Sequence, residues 1–174
     1  MTTEGSTPRP VEDIGALVQL VELKAVVTFG LSAVREESEV TAPEQELAYM
    51  HRVSAEQLES RFQLAVRTPD AKLNADIAVR YDFDEPLAPT EGVLLEFAER
   101  VGVMAAFPFL REAIFTLAAR LGVDAPVIGL LKAGEVHFGA AGASETAPAD
   151  SEPTPSATRP RRPRASASTE AKGA

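Results

Sequence analysis

The chain of 174 residues contains no cysteine. Disulfide frameworks, thiolate nucleophiles and cysteine-based zinc sites are therefore excluded. It has two histidines, His51 and His137, far apart in the sequence. A lone imidazole is more often structural than catalytic, so neither marks an active site by itself. There is no glycine-rich phosphate loop. Gly92, Gly102 and Gly122 are spread through helical sequence and match neither phosphate fingerprint. No Gly-x-Ser-x-Gly elbow occurs. No uninterrupted apolar run is long enough to span a bilayer, and residues 1–10 lack the apolar core of a secretory signal. These absences predict a cytoplasmic protein with no stable membrane insertion, no cofactor, no bound metal and no catalytic residue to name.

What is present is apolar and acidic. Hydrophobic residues make up 45% of the chain, enough for a core, and the formal net charge is -9. Residues 140–174 carry five Arg or Lys against four Asp or Glu, so the acidity belongs to the body. An acidic body argues against nonspecific nucleic-acid binding, which rests on cationic contacts to phosphates. It suits solubility and contact with basic partners. Asp82, Asp84 and Glu85 crowd one strand end. They lack the glycine-spaced pattern of a calcium loop and read as a solvated loop before Pro86. The run Arg159-Pro160-Arg161-Arg162-Pro163-Arg164 has no aromatic interleaving and reads as a solvated basic patch.

Three zones follow: a polar, disordered lead over 1–10, a periodic body over 11–138, and a disordered Pro/Ala/Ser/Arg-rich tail over 139–174. The body begins with strands. Leu17, Val21, Leu23, Ala25, Val27, Phe29, Leu31 and Ala33 share one parity, as a strand with one buried face requires. Residues 11–20 also fit a helical turn. Arg35–Pro43 is a charged connection, and Gln45–Val53 fits a short strand with Leu47, Tyr49 and His51 on one side. The clearest hairpin pairs Leu58, Ser60, Phe62, Leu64 and Val66 with Leu73, Ala75, Ile77, Val79, Tyr81 and Phe83. Its turn is Thr68-Pro69-Asp70-Ala71, with Pro69 presetting φ and Asp70 able to bond its own backbone.

The second half reads as helix. Thr90 and Glu91 suit a helix start. Leu94, Phe97, Ala98, Val101 and Ala105 form one stripe. Phe107, Leu110, Ile114, Leu117 and Leu121 form another, closed by Gly122 as the residue after the helix end. Pro108 between them reads as punctuation, with one helix ending near Ala106 and the next starting at Pro108. Pro126–Ala133 is long enough for a last short helix. Strands first and helices after predict an α+β fold: a four-stranded antiparallel sheet with two or three C-terminal helices packed on one face. Apolar residues on both parities of the first strand, such as Val18, Leu20 and Val26, predict an oligomer.

With these elements in place, the run Phe107-Pro108-Phe109-Leu110-Arg111-Glu112 resembles the Phe-Pro-Tyr-x-Arg-Glu signature of SecB-type export chaperones, with Phe109 at the tyrosine position. The resemblance covers about residues 14–138. It implies a dimer of dimers, a homotetramer with helices at its interface. It also implies an ATP-independent holdase that binds unfolded preproteins in apolar grooves and passes them to SecA. Actinobacterial relatives of the family serve toxin–antitoxin systems by binding an antitoxin segment. The basic, Pro-rich tail departs from the family's acidic, glutamine-containing end, so the usual handover to SecA does not follow from the resemblance. Exposed apolar side chains beside a sheet edge would take an extended client. On that ground Leu64, Val66, Ile77, Val79, Tyr81, Phe107 and Phe109 are the candidate client-binding residues. Pro108, Arg111 and Glu112 are candidates for helix docking or oligomer register. Two other readings stay open. One is an oligomeric adaptor of the same fold with one dedicated folded partner. The other is a small hydrolase or isomerase using His51 and the strand-end carboxylates.

Overall fold

The structure, a computed structural model, describes residues 7–129, 131 and 136–138. The elements run in the order β1 (Arg9–Val11), α1 (Ile14–Gln19), β2 (Val21–Arg35), β3 (Glu44–Val53), β4 (Gln57–Arg67), β5 (Ala71–Phe83), β6 (Leu87–Pro89), α2 (Glu91–Phe97), a π-helical turn (Ala98–Gly102) and α3 (Val103–Leu121). Four long strands form one antiparallel sheet in the order β2-β5-β4-β3. All of the α2–α3 run lies C-terminal to these strands, the α+β order expected from the sequence. The hairpin parity holds: Leu58, Ser60, Phe62, Leu64 and Val66 are buried, as are Leu73, Ala75, Ile77, Val79 and Tyr81. Its turn is closed differently. The Ala71 N–H donates to the Thr68 hydroxyl at 3.0 Å, and the Thr68 N–H to the Ala71 carbonyl at 2.8 Å. The threonine, rather than Asp70, supplies the side-chain acceptor.

β2 departs from a single parity. Its pairing with β5 slips between Leu23 and Ala25 and again between Thr28 and Gly30. Each slip is a bulge, which turns the following side chains to the other face. Val21, Val26 and Ala33 therefore pack against the core, with Val26 opposite Val79 and Ala33 opposite Leu73. Ala25 and Val27 turn to the opposite face. A sequence read at strict period two cannot register such a slip.

The lead expected over 1–10 is not wholly unstructured. Arg9 and Pro10 enter β1, which pairs in parallel with β6, and Arg9 meets Glu85 at 2.7 Å. Val11 and Leu87 are both buried, and that apolar anchor outweighs the polar composition around it. Residues 1–6 and the expected tail over 139–174 lie outside the described residues.

The helical half holds the larger correction. Glu91–Leu121 is one helical run, and Pro108 lies inside α3. No break occurs at Ala106. A proline in a helix interior removes one hydrogen bond and costs about 3 kcal/mol. Here Ala106, Phe107 and Leu110 are buried on both sides of it, while Pro108 and Met104 face outward. Burial of the flanking turns outweighs the local preference. Pro108→Ala is therefore expected to raise protomer stability by about 1–2 kcal/mol, read as a higher denaturation midpoint. An unchanged or lower midpoint would show that the proline has tertiary contacts to lose.

The helix ends as its sequence indicates. Gly122 adopts φ 70° and ψ 39°, and the Val123 N–H returns to the Ala118 carbonyl at 3.1 Å. The Arg35 guanidinium on β2 donates to the carbonyls of Leu121 and Gly122 at 2.9 and 3.1 Å, placing a cation at the negative helix end. Residues 126–129 and 131 form no helix, and the remainder of the short helix expected over 126–133 lies outside the described residues. By length and composition alone the run Glu91–Leu121 would cross a bilayer. Half of its most apolar stretch is buried against the rest of the chain, as in the core helix of a folded domain.

Candidate functional site

The helix does not cover the sheet evenly. α3 lies along β5 and β2 and meets β4 little. The helix-facing side of β3 is left beside it as the wall of a groove. The register places Leu47 beside Leu64, Tyr49 beside Phe62 and His51 beside Ser60 along that wall. Phe62 forms the floor and Tyr49 leans on it, with ring centroids 5.2 Å apart. His51 stacks on Tyr49 at 5.7 Å, and its Nε2 reaches Glu91 at 3.4 Å.

The opposite wall is the π-helical turn. Such a turn adds a residue to the helix and is often found where a helix must present a group out of regular register. Gly102 closes it against β4. A Cβ there would stand 3.2 Å from the Phe62 ring and 3.5 Å from the Ser60 side chain, a tight contact that would press on a completely buried ring. Glu99, on the same turn, points along the groove. Its Oε1 accepts the backbone N–H of Phe138 at 2.8 Å, and its Oε2 lies 3.5 Å from His137. The Phe138 ring rests on Tyr49 at 5.0 Å and on Phe62 at 5.9 Å. An aromatic side chain and its backbone amide are thus held between edge strand and helix. Both histidines border this groove, each beside a carboxylate.

Beneath the groove and the adjoining helix the sheet carries three buried hydroxyls, on Tyr49, Ser60 and Tyr81, that close no hydrogen bond among the described residues. The Tyr49 hydroxyl faces Ser60 without reaching bonding geometry. Burial pushes the Tyr49 phenol well above its ordinary range and the Tyr81 phenol up to about 12. Both remain neutral donors across the physiological range.

The other face of the sheet is polar and internally paired. Asp76 accepts from Arg61 Nε and Nη2 at 2.7 and 2.6 Å and from Gln63 Nε2 at 2.9 Å. The Arg61 guanidinium also lies 4.1 Å from the Phe29 ring centre, on the bulged part of β2. Hydrogen bonding to Arg61 holds the Asp76 carboxyl below its usual range, against the opposing effect of burial. Arg80 pairs with Glu59 at 2.6 Å, and Asp82 with Lys24 at 3.2 Å. Two of the three strand-end acids are likewise engaged, Asp82 also with Gln57 and Glu85 with Arg9.

The residues singled out in the sequence fall in three places. Leu64, Val66, Ile77, Val79 and Tyr81 are buried in the core between sheet and helix, rather than on a surface, because the helix covers β5 and the inner part of β4. Phe107 is buried too, with Arg111 above its ring at 6.0 Å. Phe109 is 47% exposed on the outer side of α3. Pro108, Arg111 and Glu112 line an outward cleft of about 490 Å³ with Phe115 and the stretch from Ala125 to Ile128. Glu112 accepts from the Thr116 hydroxyl at 2.8 Å. The signature run therefore lies on the far side of the helix from the groove, except for Phe107 and Leu110. Tyr49, Glu99 and Phe138 are not among the sequence candidates. Tyr49 has a signal, since it shares a side with Leu47 and His51 on an alternating segment. For Glu99 and Phe138 nothing local indicates that the chain brings them together across 39 residues.

A single long helix laid over one face of four antiparallel strands is the SecB-type fold. A solved SecB-like chaperone of Mycobacterium tuberculosis, in complex with a ChAD peptide from the HigA1 antitoxin, superposes with a TM-score of 0.57. The match has 20% identity and covers 68% of this chain and 96% of that one. No protein-family model matches the chain. In sequence, the chain is 34% identical over 127 residues to the SecB-like chaperone SmegB of Mycolicibacterium smegmatis, covering 73% of this chain and 86% of that protein. The chain belongs to the SecB-like chaperone family.

Proposed function

We propose that this chain is an ATP-independent holdase whose clients are segments of non-native polypeptide, bound in the groove between β3 and the helix. The observation that carries this reading is the seat of Phe138, where Tyr49 and Phe62 hold an aromatic ring and Glu99 accepts the backbone amide beside it. That combination selects for apolar side chains on a chain with free N–H groups, which folded partners seldom offer. β3 is an edge strand, so its outer backbone is available for strand addition. Holding requires no covalent step, and the reading assigns none.

An antitoxin segment is the client class favoured here, because the fold relative of Mycobacterium tuberculosis is in complex with an antitoxin peptide. Unfolded preproteins, with delivery to SecA, form the second client class the family would allow. The proposed chaperone unit is residues 11–138 with Arg9 and Pro10 of β1 added, and the tail over 139–174 is no part of the groove reading. The working assembly is a homotetramer, a dimer of dimers. Support comes from the apolar surface a lone protomer leaves open. Leu23, Leu31 and Val34 are exposed on edge strand β2, and Met104, Phe109 and Phe115 on the outer side of α3. Light scattering should return the tetramer mass, and a monomer would remove this part of the reading.

The holding activity is tested by aggregation of a chemically unfolded client. Suppression is expected at near-stoichiometric ratios and without nucleotide. A client that aggregates unhindered at large chaperone excess would overturn the proposal. Suppression confined to one folded partner would favour the adaptor reading instead.

A further inference from the structure

The edge strand β3 is joined by its backbone ladder to β4 alone. Because α3 lies over β5 and β2, β3 meets the helical half through a few side chains. One such contact can carry charge on both sides. His51 Nε2 stands 3.4 Å from Oε2 of Glu91, which lies in the first turn of α2. The two side chains differ in exposure, 7% for His51 and 69% for Glu91. The imidazole is therefore largely shut off from water, while its partner is not. Its ring also stacks on Tyr49, with 25° between the planes. Tyr49 in turn leans on Phe62 at the floor of the groove. The contact thus joins the aromatic wall of the groove to the start of the helix. The other charged groups nearby are turned away or engaged. Arg52 and Glu59, paired across β3 and β4, alternate onto the opposite face of the sheet, where Glu59 holds Arg80. From β4, the uncharged Ser60 stands opposite His51. The phenols of Tyr49 on β3 and Tyr81 on β5 stay neutral. On the π-helical turn, Glu99 accepts the Phe138 amide and lies beside His137. Glu91 is left as the carboxylate that answers a charge on His51.

We propose that His51 and Glu91 form a proton-operated tie between the edge strand and the helix start, and that this tie sets the strength of client holding by pH. Imidazole is the side chain whose ordinary charge change falls between about pH 5 and 8. With a proton on each ring nitrogen, the charged Nε2–H donates to Glu91. Such a bond is roughly twice as strong as its neutral counterpart, and the cation gains further from the Tyr49 ring beneath it. Tyr49 is then fixed against Phe62, and the wall stands ready for a client. As pH rises the proton returns to solvent, the charged bond is lost and the wall loosens. The proposal rests on the holdase reading and adds its regulation. A histidine that gains a partner contributes on the acid side of its titration, and the contribution is lost as pH rises. Apparent affinity follows the fraction of chains with the wall in place. Because Glu91 is largely exposed, water weakens the pair, and the change in client affinity is about two- to fivefold.

The probe is an unfolded synthetic peptide that contains phenylalanine, is acetylated and amidated at its ends, and carries a pH-insensitive fluorescent label. It has no group that titrates between about pH 5.5 and 8, the two ends of the measured range. The whole 174-residue chain should bind it about two to five times more tightly at the acid end than at the alkaline end. Glu91→Gln keeps the shape and removes the charge, so it should bind with the parent's alkaline-end affinity at both. His51→Gln should be equally flat. The dependence should persist in His137→Gln, which removes the second histidine of the chain. Amide exchange of the free proteins reads the tie without a client. At the acid end, β3 amides should exchange more slowly in the parent than in Glu91→Gln, and at the alkaline end the two should converge. Comparison at each pH cancels the intrinsic pH dependence of exchange. A parent affinity ratio of one or below would overturn the proposal. So would a ratio kept in Glu91→Gln, a ratio lost in His137→Gln, or equal β3 exchange in parent and Glu91→Gln at the acid end. In those cases the holdase reading stands. If the parent binds no peptide at any pH, the holdase reading falls and pH control of holding falls with it, while slower β3 exchange at the acid end would still show the tie.

Discussion

Replacing Phe97 by alanine is expected to lower protomer stability by about 3–5 kcal/mol, the range for emptying a fully packed aromatic site. Phe97 is the last residue of α2, is completely buried, and meets the Tyr81 ring edge-on at 5.1 Å and 85°. Two losses combine. The ring's apolar surface no longer contributes its burial, and Tyr81 loses its aromatic neighbour while its hydroxyl stays buried. Collapse of the site is restricted, because the π-helical turn begins at the next residue and Gly102 already brings that turn against Phe62. Phe97→Leu keeps most of the volume and should cost under about 1.5 kcal/mol. Denaturant titration of the three proteins distinguishes the outcomes. An alanine variant within about 1 kcal/mol of the parent would mean that the helix-to-sheet junction is far looser than its packing indicates.

Asp76 should make the stability of the sheet depend on acid. Hydrogen bonding to Arg61 depresses its carboxyl below the ordinary value, burial works against that, and Gln63 adds a further donor. A depressed folded-state value means that the contribution is fully present above the unfolded carboxyl value of about 3.9 and fades as pH falls through the folded value. At pH 7, Asp76→Ala removes the acceptor of three hydrogen bonds at a site 7% exposed, and a loss of about 2–4 kcal/mol is expected. At pH values well below about 4 the parent has lost part of the same interaction, so the gap between parent and variant should narrow. A gap of equal size at about pH 7 and about pH 3 would assign the loss to packing rather than to charge. Because Arg61 also stacks on Phe29, the variant should loosen the bulged part of β2 first, visible as faster amide exchange there.

The strand half was legible where one face is buried and pairing is regular. Leu58 to Val66 and Leu73 to Phe83 alternate because each strand has neighbours on both sides and a helix over one face. β2 was legible as a strand but not as a face assignment. Its two bulges depend on how it pairs with β5, and nothing in Val21–Arg35 taken alone marks Lys24 or Phe29 as the extra residue. The helical half shows the same division. The apolar stripes of Leu94, Phe97 and Ala98 and of Phe107, Leu110 and Ile114 are visible in the sequence. Their fusion into one run through Pro108 is not, since the local cost of proline is plain and the compensating burial comes from β5 and β2.

The groove was the least legible part. The five hairpin residues singled out for client contact are apolar on the correct parity, but the helix lies on them. The residues proposed here to meet a client are instead Tyr49 at the edge strand and Glu99 on the π-helical turn, which the structure brings together around Phe138. Burial depends on which part of a face the helix crosses, a property of packing between elements distant in the chain.

The sequence by itself determined the class of fold, the absence of cysteine chemistry and, through the run from Phe107 to Glu112, the family. Periodicity and short motifs are local quantities, and local interactions act over the few residues that a sequence displays side by side. Tertiary structure decided the rest: the phase of β2, the continuity of the helix, and the meeting of Tyr49, Phe62, Glu99 and Phe138. Each of these is a contest between a local preference and contacts made far along the chain, and its outcome depends on energies that exist only once the elements are packed.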